Sequence, residues 1–301
     1  MLYSAYGLTL ASAFPLPELP LVKGRADVIV ELDSRKCTAS YEPSPISCTD
    51  ASLNQIHLTW GGVGDLLIEE GRRITVVPGP NADEDALRLF ILGAGLGVLL
   101  HQRGLLVLHA SCVAIDNRGI GFIGAKGWGK STTTATLHRR GHALISDELL
   151  VVRFDDQAQP RVMPGSPQIR LWSDALISMG DDPDSAVRVR SGINKYNVYA
   201  GNTIAETLPL YCLYLLDVGE DLSIKLMPPS EAFFGIIPHL YVCRFGTQFL
   251  QSTNINHAFQ QVNLLLKKIK VKHLLRQWKL NQLPDLARRI EQDILQDQQL
   301  V

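Results

Sequence analysis

The sequence predicts a mixed α/β fold of the α+β kind: a strand-rich core, a β-rich N-terminal part and helices at the C-terminus. Three observations carry this. Alternating apolar and polar residues recur through residues 1–83. A short apolar strand, a glycine-rich loop and a helix follow one another around residues 119–140. Strand-like runs outnumber helical ones between 104 and 254, and helical periodicity returns from about residue 255. The expected division is a β-rich subdomain over 1–83, a connecting helix over 84–103, a loop-bearing domain over 104–254 and C-terminal helices over 255–301.

Composition sets the bounds. The 301 residues suffice for one large domain or two modest ones. Hydrophobic residues make up 46% and charged residues 20%, a balance that permits a sizeable core. A formal net charge of −1 offers no global attraction to nucleic acid or membrane, so neither is expected as a partner. The five cysteines are scattered and form no C-x-x-C pair, which argues against a disulfide framework and a structural zinc site. Residues 1–6 carry no basic stretch leading into a long apolar one. The most apolar window, 86–100, contains Arg88 and is too short to span a bilayer. A cytoplasmic location is expected.

The elements follow in order. Strands are expected over 27–32, 55–60 and 73–77, with Gly61-Gly62 and Glu70-Gly71 marking turns. Pro15, Pro17 and Pro20 exclude a helix interior or central strand over 14–20, which reads as an extended segment laid over a surface. This part shows no catalytic constellation and reads as a scaffold or a substrate-docking subdomain. Asn81 or Asp83 can cap a helix with an acidic first turn that runs to about Arg103. Its apolar residues occupy nearly every face, and Gly93, Gly95 and Gly97 let another element approach closely. Two strand-like runs over 105–115 lead to a hairpin turn at 116–119, a buried strand over 119–123 and a helix over 132–140 that stops at Gly141. Strands are expected again over 143–148, 149–152, 161–172 and 208–217. Beyond 255 the chain reads as helical: a basic helix over 267–279 with a solvated face, then an amphipathic helix over 283–300.

The loop is Gly124-Ala125-Lys126-Gly127-Trp128-Gly129-Lys130-Ser131, which fits G-x-x-x-x-G-K-[ST]. Its glycines let the backbone curl so that N–H groups cradle phosphate oxygens, and the helix start adds its positive dipole end. Lys130 supplies a point charge to the outer phosphates, and the Ser131 hydroxyl can ligate Mg²⁺. A nucleotide phosphate site with Mg²⁺ is therefore expected, and 104–254 reads as a nucleotide-binding domain.

Other residues could take part. Asp147 ends an apolar run sixteen positions after Ser131, where a metal ligand or a base would sit. Glu148 follows it; both reach one site only if the strand ends there. His109 closes the apolar run 105–108, with Ser111 close behind, and reads from the residues alone as a satisfied buried polar group. Arg170, Lys195, His239 and Arg244 are cations able to clamp phosphate oxygens, with surface salt bridging as the plainer reading of each.

Three motifs together resemble a known family. Val107-Leu108-His109-Ala110-Ser111 lies one hairpin before the loop, and Arg140-Gly141-His142-Ala143-Leu144-Ile145-Ser146-Asp147-Glu148 one helix after it. With the loop, these resemble the HPr kinase/phosphorylase family, with its vHaS strand, G-x-S-G-x-G-K-S loop and rGH-x-l-v-x-D-D segment. The likeness covers 104–152 and reaches weakly to 245. Phe14-Pro15-Leu16-Pro17-Glu18-Leu19 and Pro167-Gln168-Ile169-Arg170-Leu171-Trp172 resemble a divergent branch of these P-loop kinases. Members of that branch occur with lasso-peptide biosynthesis genes, and some phosphorylate a C-terminal serine of a precursor peptide.

The resemblance implies a strand-rich core related to phosphoenolpyruvate carboxykinase. It implies that Asp147 takes the proton of the attacking serine and that His109 lies beside it, an imidazolium there favouring the ionised carboxylate. Lys130 holds the phosphates, Ser131 and Glu148 (with Asp147) hold Mg²⁺, and Thr132 joins the loop residues at the nucleotide. Lys195 or Arg170 neutralises transferring charge. Family members often form hexamers, so a homo-oligomer stays open. Lys126 stands at the family's loop serine, Glu148 at its second aspartate and Thr132 at an acidic position, and no E-[IV]-R-G loop follows residue 152. Phosphorylase activity on HPr is therefore not expected. The expected activity is an ATP- and Mg²⁺-dependent kinase of a serine hydroxyl in a precursor peptide. The alternatives are a nucleotide-binding regulatory module without transfer chemistry and a kinase of a small hydroxylated metabolite.

Overall fold

The structure, a computed structural model, describes residues 1–34, 37–40, 42–253 and 255–299. Leu300, the last residue of the expected final helix, lies outside the described residues. Seven N-terminal strands form one sheet: β1 (Leu2–Ala5), β2 (Leu8–Ser12), β3 (Val28–Leu32), β4 (Ser47–Ala51), β5 (Gln55–Trp60), β6 (Gly64–Glu69) and β7 (Arg73–Pro78). Their order is β1-β2-β3-β7-β6-β5-β4. Strand alternation sends Ile56, Leu58, Leu66, Ile68, Ile74 and Val76 into the core, where none is exposed. The proline-rich 14–20 segment is not helical; it buries Leu16 and pairs Glu18 with Arg88. The turn between β1 and β2 is unusual. Tyr6 and Gly7 are both left-handed, with φ of 53° and 69°. This mirror-image two-residue turn suits the twist of a hairpin, and glycine takes its second place easily. A bulky residue in its first place is strained by about 1–3 kcal/mol.

The central helix is α1 (Glu84–Phe90), a π-helical stretch (Ile91–Gly95) and α2 (Leu96–Gln102), end to end. The Asp83 side chain accepts the Asp85 N–H at its start, and Glu84 and Asp85 fill the first turn. The glycines do admit neighbours. A Cβ on Gly97 would overlap the Tyr241 ring, and one on Gly95 would lie 3.2 Å from Leu66. Gly97→Leu is therefore expected to lower stability by about 1–3 kcal/mol, read as a lower urea midpoint with an unchanged m-value.

Next come β8 (Leu106–Leu108), β9 (Ser111–Ile115), β10 (Arg118–Ile123), α3 (Lys130–Arg139), β11 (Ala143–Ser146), β12 (Leu150–Phe154) and β13 (Pro160–Met163). β14 (Gln168–Trp172), α4 (Ser173–Ser178), β15 (Val187–Arg188) and β16 (Lys195–Tyr199) follow; the three strands form a small sheet in the order β14-β16-β15. Then come β17 (Leu208–Val218), β18 (Ser223–Leu226), α5 (Pro229–Ile236), α6 (Gly246–Ser252), α7 (Ile255–Leu266), β19 (Lys270–Arg276) and α8 (Leu283–Gln299). The large sheet has nine strands, and β17 is shared by its two parts. Along most of its length β17 lies parallel between β10 and β19; its first residues pair antiparallel with β13. The loop-bearing strand β10 thus sits inside the sheet, between β9 and β17.

The basic helix expected over 267–279 is a correction: most of it is β19, paired with β17 and β18. Lys272, Leu274 and Arg276 alternate onto one buried face. Lys272 is tolerated there because its ammonium reaches Asp293 at 2.5 Å and Asp297 at 2.6 Å, one turn apart on α8. One hydrophobic cluster runs from the N-terminal sheet through the central helix to one face of the large sheet. A second, with Phe122, Tyr214 and Leu274, is capped by Leu286 and Ile290 of α8. Among the described residues no helix is long and apolar enough to cross a membrane.

Candidate active site

The 124–131 loop leaves the end of β10 and enters α3 at Lys130. Gly129 is left-handed, and a Cβ there would overlap the Arg276 guanidinium. Gly127 is left-handed too, and a Cβ on it would meet nothing. The apex, Ala125, Lys126 and Gly127, is exposed, whereas Trp128 is half-buried. Amides of the first turn of α3 have no acceptor within the helix and present their N–H groups at its N-terminus. Lys130 is buried, and its ammonium donates to the carbonyls of Gly124 at 2.9 Å and Ala125 at 3.2 Å. Burial pushes its pKa down to about 8, against the pull of Glu148 and Asp147.

Asp147 and Glu148 lie just beyond the end of β11, so the alternation of a strand no longer separates them. Asp147 is buried, and both its oxygens are engaged. Oδ1 accepts from the hydroxyls of Ser131 at 2.9 Å and Ser111; Oδ2 accepts from the Arg170 backbone N–H at 2.9 Å. Glu148 is left-handed, with φ of 73°, an uncommon conformation that turns its side chain to a different set of partners. Its Oε1 lies 2.8 Å from the Lys195 ammonium, and its Oε2 is 3.7 Å from His109 Nδ1. Burial opposes its charge, but the cations Lys195 and Arg170 outweigh burial and hold the carboxyl well below the usual carboxylate range.

His109 therefore sits beside Glu148 rather than beside Asp147. Burial pushes its pKa down to about 3, with Glu148 pulling the other way, so the imidazolium expected there is a neutral imidazole. Nδ1 faces the Glu148 carbonyl at 3.2 Å and Arg244 Nη1 at 3.3 Å. A protonated Nδ1 donates to the carbonyl; a bare Nδ1 accepts from the guanidinium; one tautomer cannot do both. The segment carrying Arg244 is fixed by the His109 N–H, which donates to the His239 carbonyl at 2.7 Å. His239 thus enters through its backbone.

The small sheet supplies Arg170 from β14 and Lys195 from β16. The Arg170 guanidinium forms no ion pair among the described residues, although Glu148 and Tyr6 both feel its charge. Thr132 lies on the first turn of α3, where its carbonyl accepts from the Thr136 hydroxyl. Among the described residues no group of three or more His, Cys, Asp and Glu is placed to hold a metal. The Ser131 hydroxyl and the Asp147 carboxylate are hard oxygen donors of the kind Mg²⁺ takes when phosphates and water complete its shell.

No family model matches this chain, and no curated protein does. Among solved structures, it is similar to the HPr(Ser) kinase/phosphatase from Coxiella burnetii. The alignment covers 62% of this chain and 97% of that one, at 15% identity and a TM-score of 0.34. The likeness is partial and concerns fold alone.

Several site residues escaped the sequence reading. Arg276 is buried at the end of β19, where its Nη2 donates to the Trp128 carbonyl at 3.0 Å and its guanidinium lies over the Trp278 ring. Its alternation with Lys272 and Leu274 was the available signal, masked by the density of positive charge. Tyr241 packs on the central helix beside Glu148, with Arg244 over its ring. Ser111, a minor candidate from sequence, is a partner of Asp147.

Proposed function

We propose that this protein is an ATP- and Mg²⁺-dependent kinase that transfers the γ-phosphoryl group to a serine-type hydroxyl of a peptide. The observation that carries this reading is the pair of adjacent carboxylates at a phosphate-binding loop, held in unlike surroundings. Asp147 is tied to the loop hydroxyl of Ser131; Glu148 is turned away to His109 and Lys195. Such a pair separates metal binding from proton transfer.

The loop amides and Lys130 hold the β- and γ-phosphates. Ser131 and Asp147 would hold Mg²⁺, which would supply positive charge to neutralise the phosphates. The resemblance described above makes Asp147 the base and Glu148 the metal ligand; the contacts favour the exchange. Both oxygens of Asp147 are already taken by donors that fix it, whereas Glu148 is partly open and has one oxygen free of a close partner. Glu148 accepts the proton of the attacking hydroxyl, and the oxygen of that hydroxyl forms its bond to phosphorus as the bond to the ADP oxygen breaks. His109 stays neutral and positions Glu148. Lys195 and Arg170 face the charge of the transferring group.

The test is transfer of label from ATP, with Mg²⁺, to serine peptides, set against free serine and hydroxylated metabolites. Peptide labelling supports the reading. Labelling confined to small molecules moves the acceptor to a metabolite, and nucleotide binding without acceptor-dependent ADP release makes the protein a regulatory module. A pH dependence also follows. Lys130 is charged below about 8 and neutral above it. ADP affinity is expected to be level below that pH and to fall by up to about tenfold per unit above it, measured by titration calorimetry between pH 6.5 and 9.5.

A further inference from the structure

The β1–β2 turn reaches out of the N-terminal sheet into the site. The Tyr6 N–H donates to the Pro164 carbonyl at 2.9 Å, and its hydroxyl lies against Gly165, where a Cβ would come within 2.8 Å of it. The ring is 4% exposed, and its hydroxyl is within electrostatic reach of Arg170, Tyr241, Asp147 and Glu148. A residue at ease in a left-handed turn, such as asparagine, would relieve the backbone; a tyrosine in this place points to a use for its side chain.

The hydroxyl itself shows what that use is. A buried tyrosine that merely joins two layers gives its O–H to a protein acceptor. Among the described residues the Tyr6 hydroxyl has no such partner, yet it is not one of the sealed, unpartnered atoms of the core. Its oxygen is therefore not wholly sealed, in surroundings that both carboxylates influence. Burial and the neighbouring acids raise its pKa despite Arg170, so it remains a donor at every working pH.

We propose that the Tyr6 hydroxyl is a direct contact of the phosphoryl acceptor, donating a hydrogen bond to the acceptor's hydroxyl oxygen while Glu148 receives that group's proton. This rests on the kinase reading. It makes the N-terminal sheet a contributor to the reacting centre rather than a scaffold beside it.

Tyr6→Phe tests this, because it keeps the ring and removes only the oxygen. The probes are ATP with the serine peptide that the wild-type protein labels best, fluorescent ADP for binding, and thermal unfolding. Tyr6→Phe is expected to lower kcat/KM for the peptide at least tenfold while KM for ATP, ADP affinity and Tm stay at wild-type values. Wild-type transfer by Tyr6→Phe overturns the contact and leaves the kinase reading standing. A loss accompanied by weaker ADP binding or a lower Tm also overturns it, since the oxygen would then be holding the fold. If the wild-type protein labels no peptide, the kinase reading and the contact fall together.

Discussion

Lys130→Met is expected to lower phosphoryl transfer at least a thousandfold, about 4 kcal/mol of transition-state stabilisation. The reasoning is electrostatic. Lys130 is a buried cation whose ammonium bonds to the Gly124 and Ala125 carbonyls, so its charge lies within the loop. Charge on the transferring group is spread over its peripheral oxygens, and a fixed cation in a water-poor site acts on them strongly. Methionine keeps the length and the packing of the stem but donates nothing. ADP affinity should fall less than the rate, because the loop amides still hold the phosphates. Single-turnover transfer beside ADP titration checks this. Equal losses in both would make Lys130 a ground-state anchor.

The second large effect separates the two carboxylates. Glu148→Gln is expected to cut transfer by about 10²–10⁴, with ADP affinity and Mg²⁺ requirement unchanged. Asp147→Asn is expected to raise the Mg²⁺ concentration needed for half-maximal rate by about 10–100-fold. The asymmetry comes from their partners. Asparagine at 147 would put its amide N–H₂ opposite either the Ser131 and Ser111 hydroxyls or the Arg170 backbone N–H, all of which now donate to the carboxylate. Glutamine at 148 keeps an oxygen for Lys195 but removes the proton acceptor. Mg²⁺ titrations of the initial rate for both variants decide the matter. The reverse pattern would return the base to Asp147.

The sequence made the loop legible because each fixed position answers to a local need: glycine for left-handed backbone at 127 and 129, lysine and serine at the helix start. Asp147 and Glu148 were legible for a similar reason, at the end of a strand one helix later. What lay out of sight was pairing across distance. Lys272 reads as one lysine in a basic run until Asp293 and Asp297 are seen to neutralise it from α8. His109 could be placed near the acids, but which acid it meets depends on the left-handed turn at Glu148, and no residue type announces that turn. Tyr6 was invisible for the same reason. Its neighbours in space come from 147, 148, 165 and 170, and the sequence around it contains only a hairpin.

The packing of Tyr241 into Gly97 also bears on how the chain is made. The central helix is apolar on nearly every side, yet the ring that covers one of them is synthesised long after it. The N-terminal part shields the sides toward Leu66, Ile74 and Trp60 as it leaves the ribosome. Until the segment around residue 241 emerges, a greasy helix stays uncovered, the condition under which nascent chains stick to one another. Burial of the face at Gly97 therefore waits for the segment that carries Tyr241.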